Sequence, residues 1–600
     1  MKVKQFQLIL IKPSHYDDDG YVIQWFRSWI PANSLACIYG LAAAAAQRQV
    51  LGPDCAIEIT AIDETNTRVR VSRIIQSIRS HGGFGMVGLV GVQSNQFPRA
   101  MDIARPLRQA GIQVIIGGFH VSGCLAMLPE LPDDLQAAVD LGCSLFAGEA
   151  EDGRLDQVLR DAATGTLKPV YNFMNDLPGL EGEPTPFLPV QNLKRTAQHE
   201  ASFDAGRGCP FQCSFCTIIN VQGRKSRRRS PEDVEHLIRQ HWAQGIRHFF
   251  ITDDNFARNR DWEPIFDRII QIRERDQINV RLVIQVDTGC HKIANFIDKA
   301  QRAGVSRVFI GLENINPTNL MAAKKRQNKI TEYRKMLLAW KRAGVVIICG
   351  YILGFPSDTP QSIIDDIEII KKELPIDILE FTCLTPLPGS EDHKVLWQKR
   401  ARMDSDLNKY DLEHVVADHA KMSAREWRDI YDRAWSAYYT REHLMTILQR
   451  GVATGMRLAR LHADLFFYSA AHRIEHLHPL QAGVFRLKFR RDRRPGMAIE
   501  PIWRFYPRLA CEIAVKHFRL AQQWFALSRM LKEARRRQRV LPYTDLALMP
   551  PSDDETDALA LFTHNDAARN EVAHIRDVAV LTRAGSARAR ITQTPPRMVG

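Results

Sequence analysis

Short β-branched runs alternate with segments of helical period along the first two-thirds of the chain. Residues 5–11 (QFQLILI), 56–62, 86–92 and 113–116 read as strands, and helix-like stretches fall between them at 35–48, 71–80 and 99–110. That alternation predicts a parallel sheet with helices on both faces, whose ligands would lie beyond the carboxyl ends of the strands. Residues 12–15, 93–95 and 117–120 occupy those ends. A second series begins near residue 198, with strands expected at 201–204, 249–252, 281–286, 307–310, 345–349 and 378–383. Helices fit between them at 231–244, 262–275 and 330–343. Six βα units in a row predict an open or closed βα barrel.

Beyond about residue 393 the strand pattern stops. Residues 425–439, 442–474 and 508–537 carry apolar positions at helical spacing, with Leu444, Ile447, Leu448, Val452 and Met456 on one stripe. The expected fold is therefore α/β in three parts: a doubly wound, Rossmann-like domain at 1–165, a partial TIM-like βα barrel at 198–395 and an α-helical domain at 396–545. An extended, Pro-rich linker at 166–197 joins the first two. The tail at 546–600 shows no sustained periodicity and reads as disordered.

Composition narrows the class. Of 600 residues, 45% are hydrophobic and 25% charged, which excludes fibres and wholesale disorder. The longest apolar stretch, 344–355, is too short to cross a bilayer. With no secretory pattern at Met1, the expected location is cytoplasmic. The net charge of +13 is uneven: between 481 and 540, 16 Lys and Arg stand against 4 Asp and Glu. Cations interleaved with large apolar side chains at 485–495 (FRLKFRRDRRP) and 502–506 (IWRFY) suit a lipid head group, and hence contact with the inner membrane surface. No compact nucleic-acid motif accompanies them, and an ordinary basic cap explains them equally well.

The eleven cysteines are too scattered for a disulfide framework, yet three fall within eight residues. Gly206-Arg-Gly-Cys209-Pro-Phe-Gln-Cys213-Ser-Phe-Cys216 places three soft ligands in a glycine-containing loop directly after a strand. A structural zinc site would want a fourth ligand and a second pair, and Cys290, Cys349 and Cys383 are solitary. Three thiols can hold three irons of a 4Fe-4S cluster and leave the fourth open to a ligand.

The Cys-x3-Cys-x-Phe-Cys arrangement resembles the radical S-adenosylmethionine (radical SAM) superfamily. Later segments match it in order: Phe249-Phe-Ile-Thr-Asp-Asp-Asn-Phe256, Ile310-Gly-Leu-Glu313 and Gly350-Tyr-Ile-Leu-Gly-Phe-Pro356. The resemblance implies that Cys209, Cys213 and Cys216 hold the cluster and that Phe215 lies against the SAM adenine. Asp253 and Asp254 either bind the SAM ammonium or cap the following helix. It further implies that Glu313 faces SAM or pairs with a buried Arg, and that Gly350 and Gly354 lie near adenine. No catalytic residue is assignable beyond the cluster.

Ile115-Ile-Gly-Gly-Phe-His-Val-Ser122 and Gly148-Glu-Ala-Glu151 resemble the cobalamin-binding domain that precedes the barrel in one branch of that superfamily. By that resemblance Ser94, Gly117, Gly118, His120, Ser122, Gly148 and Glu149 line a cobalamin pocket. The Asp-x-His-x-x-Gly motif that supplies a lower cobalt ligand is missing, since His15 sits in Pro-Ser-His-Tyr-Asp. His120 would line the pocket or serve as a structural histidine.

The combined resemblance implies SAM cleavage to a deoxyadenosyl radical and methylation of an unactivated carbon of a small-molecule or lipid substrate, with electrons from a flavodoxin or ferredoxin. A cobalamin-dependent cyclase or ring-rearranging enzyme is the alternative within the class. A non-catalytic cobalamin sensor is the alternative outside it.

Overall fold

The computed structural model describes residues 4–552 and 555–577. Strand Lys4–Lys12 pairs in parallel with Cys55–Asp63 on one side and Gly85–Leu89 on the other, and Gln113–Gly117, Ser144–Ala147 and Val170–Asn172 follow outward. Alternate side chains of the first strand feed two cores: Leu8 and Leu10 pack on one face, Ile9 and Ile11 on the other. The strand order reverses between Lys4–Lys12 and Gly85–Leu89, which opens a crevice at the carboxyl ends of the sheet.

The sixth strand differs from the sequence reading, which ended this domain at 165. Val170–Asn172 pairs with Ser144–Ala147 and buries Tyr171. Three residues behind Pro169 are too few to register as a period, so this strand is recognisable only from its neighbour.

Strands Glu200–Phe203, His248–Ile251, Arg281–Val286, Val305–Glu313, Val346–Leu353 and Ile378–Cys383 are parallel and lie side by side in chain order. The sheet ends on the first and last of them, so the barrel is open. Val346–Leu353 is buried along its whole length, as a strand covered on both faces must be.

Two features depart from the all-helical third domain. The expected helix at 442–474 is broken into Arg441–Ala453 and Leu458–Ala470, because Gly455 adopts a φ of +67°. Strand Gly483–Leu487 pairs antiparallel with Gln24–Ser28 and ties the C-terminal domain to the N-terminal one. Gly483 lies against Trp25, whose ring a Cβ there would meet at 2.5 Å.

The tail also departs from the expectation of disorder at 546–600. Arg334 donates to the carbonyls of Leu546 and Met549 and to Glu555, while the Glu373 carboxylate accepts the N–H groups of Ala560 and Leu561 at 2.8 Å. Leu561 and Phe562 are buried against the barrel. These apolar turns are too brief to show a period in the sequence. Residues 578–600 lie outside the described residues.

Candidate functional site

The cysteine loop leaves the barrel at the carboxyl end of Glu200–Phe203. It is pinched at its base where Gly206–Arg207 pairs antiparallel with Arg227–Arg228. Gly208 takes a φ of +93° with Lys225 O 2.4 Å from where a Cβ would stand, so only glycine fits there. The loop is held from within by Cys209 N–H to Gly223 O and from the barrel by Ser214 N–H to Ala323 O.

All three thiols are unpaired cysteines. Burial, and after it the Asp254 carboxylate, push the Cys216 thiol up to about 12, and burial likewise raises Cys209. Among the described residues no three His, Cys, Asp or Glu side chains converge as a single-ion site requires. Thiols spaced around a loop fit instead a multi-iron cluster that takes one ligand per iron.

The two adjacent aspartates have different positions. Asp253 is buried, and its oxygens accept the N–H groups of Ala205 and Gly206 at 2.7 and 2.9 Å and the Asn259 amide at 3.0 Å. It thus fastens the second barrel strand to the base of the cysteine loop, which is neither a helix cap nor a free ammonium site. Asp254 bears electrostatically on both Cys209 and Cys216, and burial, then the Asp253 carboxyl, push it up to about 7.

Glu313 ends the fourth barrel strand at a register shift, with a φ of +63° that is uncommon outside glycine. Its carboxylate pairs with a buried cation, which is the Lys325 ammonium and not the arginine the sequence suggested. Lys325 lies 5.8 Å from the centre of the Phe215 ring and bears on the charges of Cys209, Cys213 and Cys216. Gln327 donates to Cys213 Sγ at 3.5 Å. Sequence reasoning missed both residues, because Lys324-Lys-Arg-Gln327 reads as a solvated charge run.

Phe215 packs in a small apolar cluster with Ile352, Phe355 and Ala323. Gly350 leaves room in the barrel, with Phe309 3.0 Å from its missing Cβ. Gly354 has a different neighbour: at a φ of +101°, its missing Cβ would stand 1.9 Å from Trp427 of helix Ala424–Tyr438. It serves helix packing.

Across the crevice, an apolar cavity of about 180 Å³ is floored by Leu8, Leu10, Met86 and Gly88 and rimmed by Gly117, Gly118, Ser122, Gly148 and Glu149. Its far wall is Arg207, Val221 and Gln222 of the cysteine loop. Ser122 Oγ accepts the N–H of Gly148 at 3.1 Å and holds the two glycine loops together.

Ser94 and His120 are not part of this lining. They bond each other at 3.1 Å, and the second His120 nitrogen is 2.5 Å from Asp134, so this histidine is structural. His15 bonds Gln481 and borders a separate polar cavity.

Glu149 joins the domains. Its carboxylate binds Arg207 at 2.8 Å and Arg227 at 2.5 Å, and Arg207 also reaches Glu151 at 2.7 Å and Asp204 at 3.0 Å. All these groups are nearly buried. The glycine loop of the first domain is therefore bolted to the strand that runs into Cys209.

Comparison with known proteins agrees with this geometry. Residues 205–370 match the Radical SAM superfamily model. The chain is 26% identical over 356 residues to bacteriochlorophyllide d C-8(2)-methyltransferase of Chlorobaculum tepidum, covering 56% of this chain and 74% of that protein. It is 25% identical over 341 residues to hopanoid C-2 methylase of Rhodopseudomonas palustris, covering 56% of this chain and 61% of that protein. The solved structure of the cobalamin-dependent S-adenosylmethionine radical enzyme OxsB superposes with a TM-score of 0.52 at 11% identity, covering 95% of this chain and 84% of that one, which is likeness of fold. Residues 205–370 thus form a radical SAM domain, and the protein is an enzyme. Its open barrel is the radical SAM core, with the 4Fe-4S cluster and SAM as the cofactors of such a domain.

Proposed function

We propose that the protein is a cobalamin-dependent radical SAM methyltransferase that methylates an unactivated carbon of a hydrophobic, lipid-like small molecule. The observation that carries this reading is the direct wall-to-wall contact between the glycine-rimmed cavity of the first domain and the cysteine loop of the barrel. At about 180 Å³ the cavity is smaller than the roughly 300–1,000 Å³ of whole small-molecule sites. A cavity of this size would hold one end of a large cofactor, with Gly117, Gly118, Ser122 and Gly148 at its rim. When bound, the cluster and SAM supply the radical, and the corrinoid supplies a methyl carrier.

The protein's own residues bind and position. Cys209, Cys213 and Cys216 hold the irons, Asp254 offers a carboxylate to the SAM ammonium, and Phe215 gives adenine an apolar surface. Lys325, held in place by Glu313, turns an ammonium toward the thiolates. Gly117, Gly118 and Gly148 let the corrinoid approach the backbone, while Ser122 keeps their loops in register. The two methylating relatives, named for a hopanoid and a bacteriochlorophyllide, support a large apolar substrate. We place the enzyme in the cytoplasm, reduced by a flavodoxin or ferredoxin. None of the described helices is long and apolar enough to cross a membrane.

The test is anaerobic reconstitution with iron, sulfide and cobalamin, followed by SAM and a reductant. Formation of 5'-deoxyadenosine together with bound corrinoid absorbance is the expected result, and a hydrophobic product heavier by one methylene would complete it. Deoxyadenosine without corrinoid removes the methyl carrier. A product lighter by two hydrogens replaces methylation with ring closure.

A further inference from the structure

Helix Ile502–Val540 is 39 residues long, and only Phe505, Leu527, Met530 and Ala534 on it are buried. Between Phe505 and Leu527 no side chain is fully buried, and over these roughly 30 Å the helix meets the rest of the protein only through half-buried residues such as Glu512, Lys516 and Gln523. A helix in that position would be expected to turn charges to the solvent. This one does the reverse. Opposite the buried stripe, spacings of seven, four, four, three and four bring Trp503, Ala510, Ala514, Phe518, Ala521 and Phe525 into one line. All six are exposed, Trp503 by 77% and Phe518 and Phe525 by 64% each. The same line then runs on through Arg529, Lys532, Arg536 and Arg539, and Arg504 flanks it.

We propose that this face docks the enzyme on an anionic lipid bilayer. An aromatic line with cations at its end and flank matches acyl chains below phosphate head groups. A second copy of the chain does not match the surplus of positive charge, since each copy carries the same cations and parallel pairing stacks them on one another. The helix's acids, Glu512 and Glu533, are already spent on Lys488 and Lys516 and on Arg536 and Arg537. A duplex nucleic acid would leave the aromatic line facing phosphates. That docking serves capture of a lipid-like substrate rests on the proposed function, whereas the docking itself does not.

The experiment uses the full, reconstituted protein and its Trp503→Ser/Phe518→Ser/Phe525→Ser variant. Each is sedimented with vesicles of phosphatidylcholine alone or mixed with phosphatidylglycerol, at low and high salt. The expected result is that wild type pellets only with the mixed vesicles, less so at high salt. The variant should partition at least about tenfold more weakly while forming deoxyadenosine from SAM at the wild-type rate. Absence of wild-type binding overturns the proposal. So does a wild-type dimer that the variant dissolves while vesicle binding is unchanged. Vesicle binding without SAM cleavage in either protein would sink the proposed function and leave the docking face standing.

Discussion

The Arg207 guanidinium donates to the Glu151 carboxylate at 2.7 Å, and both side chains are buried at the junction of two domains. Glu151 closes a loop of the doubly wound sheet, and Arg207 stands two residues before Cys209. The position of the cysteine loop and that of the glycine loop of the first domain are thereby set by one ion pair and the pairs around it. Removing a single partner leaves buried charges uncompensated, at about 3 to 5 kcal/mol. Arg207→Ala should lower the melting temperature and the iron bound per chain after reconstitution. A variant that binds full iron with unchanged melting would show that the junction does not position the loop.

Asp253 and Asp254 should separate by phenotype. Asp253→Asn exchanges a carboxylate that accepts two backbone N–H groups for an amide, and is expected to cost stability and cluster occupancy together. Asp254→Asn should keep the fold and the iron content but weaken SAM binding by about tenfold or more, read as loss of the SAM-induced change in the cluster's electron paramagnetic resonance spectrum. Equal effects of the two substitutions would argue against the division of roles.

Lys325 places a cation beside the cysteine loop, and local charge is one of the levers on cluster potential. Lys325→Met should make the cluster harder to reduce, with a more negative midpoint in a redox titration. Lys325→Arg should retain most of the wild-type potential. An unchanged midpoint in Lys325→Met would reduce Lys325 to a partner of Glu313.

Gly354→Ala tests the packing role directly. With a φ of +101° and Trp427 1.9 Å from the added Cβ, the substitution is expected to destabilise by at least about 2 kcal/mol in chemical denaturation. A truncated Trp427 should recover part of the loss, whereas a merely adenine-facing glycine would show weaker SAM binding at normal stability.

His414 carries a pH dependence. Its ring lies 2.8 Å from Asp411 and 3.1 Å from Asp18, and although burial opposes the charged form, these carboxylates raise it from 6.5 to about 10. Because the folded value lies above the unfolded one, the stabilisation is complete below pH 6.5 and is lost as pH rises through about 10. The melting-temperature gap between wild type and His414→Gln should therefore be widest near pH 6 and narrow by pH 10. A gap that widens with pH would contradict the pairing.

The grouping of Cys209, Cys213 and Cys216 in one loop, the succession of strands along the chain and the helices 71–80 and 262–275 were legible in the sequence, because cysteine spacing and hydrophobic period are properties of neighbours in the chain. The same locality explains what was not legible. That Asp253 is a brace depends on two loops 48 residues apart meeting at a hydrogen bond. Glu149, expected among cofactor contacts, also proves to be an interdomain bolt because Arg207 and Arg227 come to it from another domain. His120 is sealed by Ser94 and Asp134, and Lys325 leaves its charge run to enter the barrel mouth. Periodicity reports which face of an element is buried. Which buried charge meets which is settled only when distant segments pack, since an unpaired charge there costs more than the local sequence can reveal.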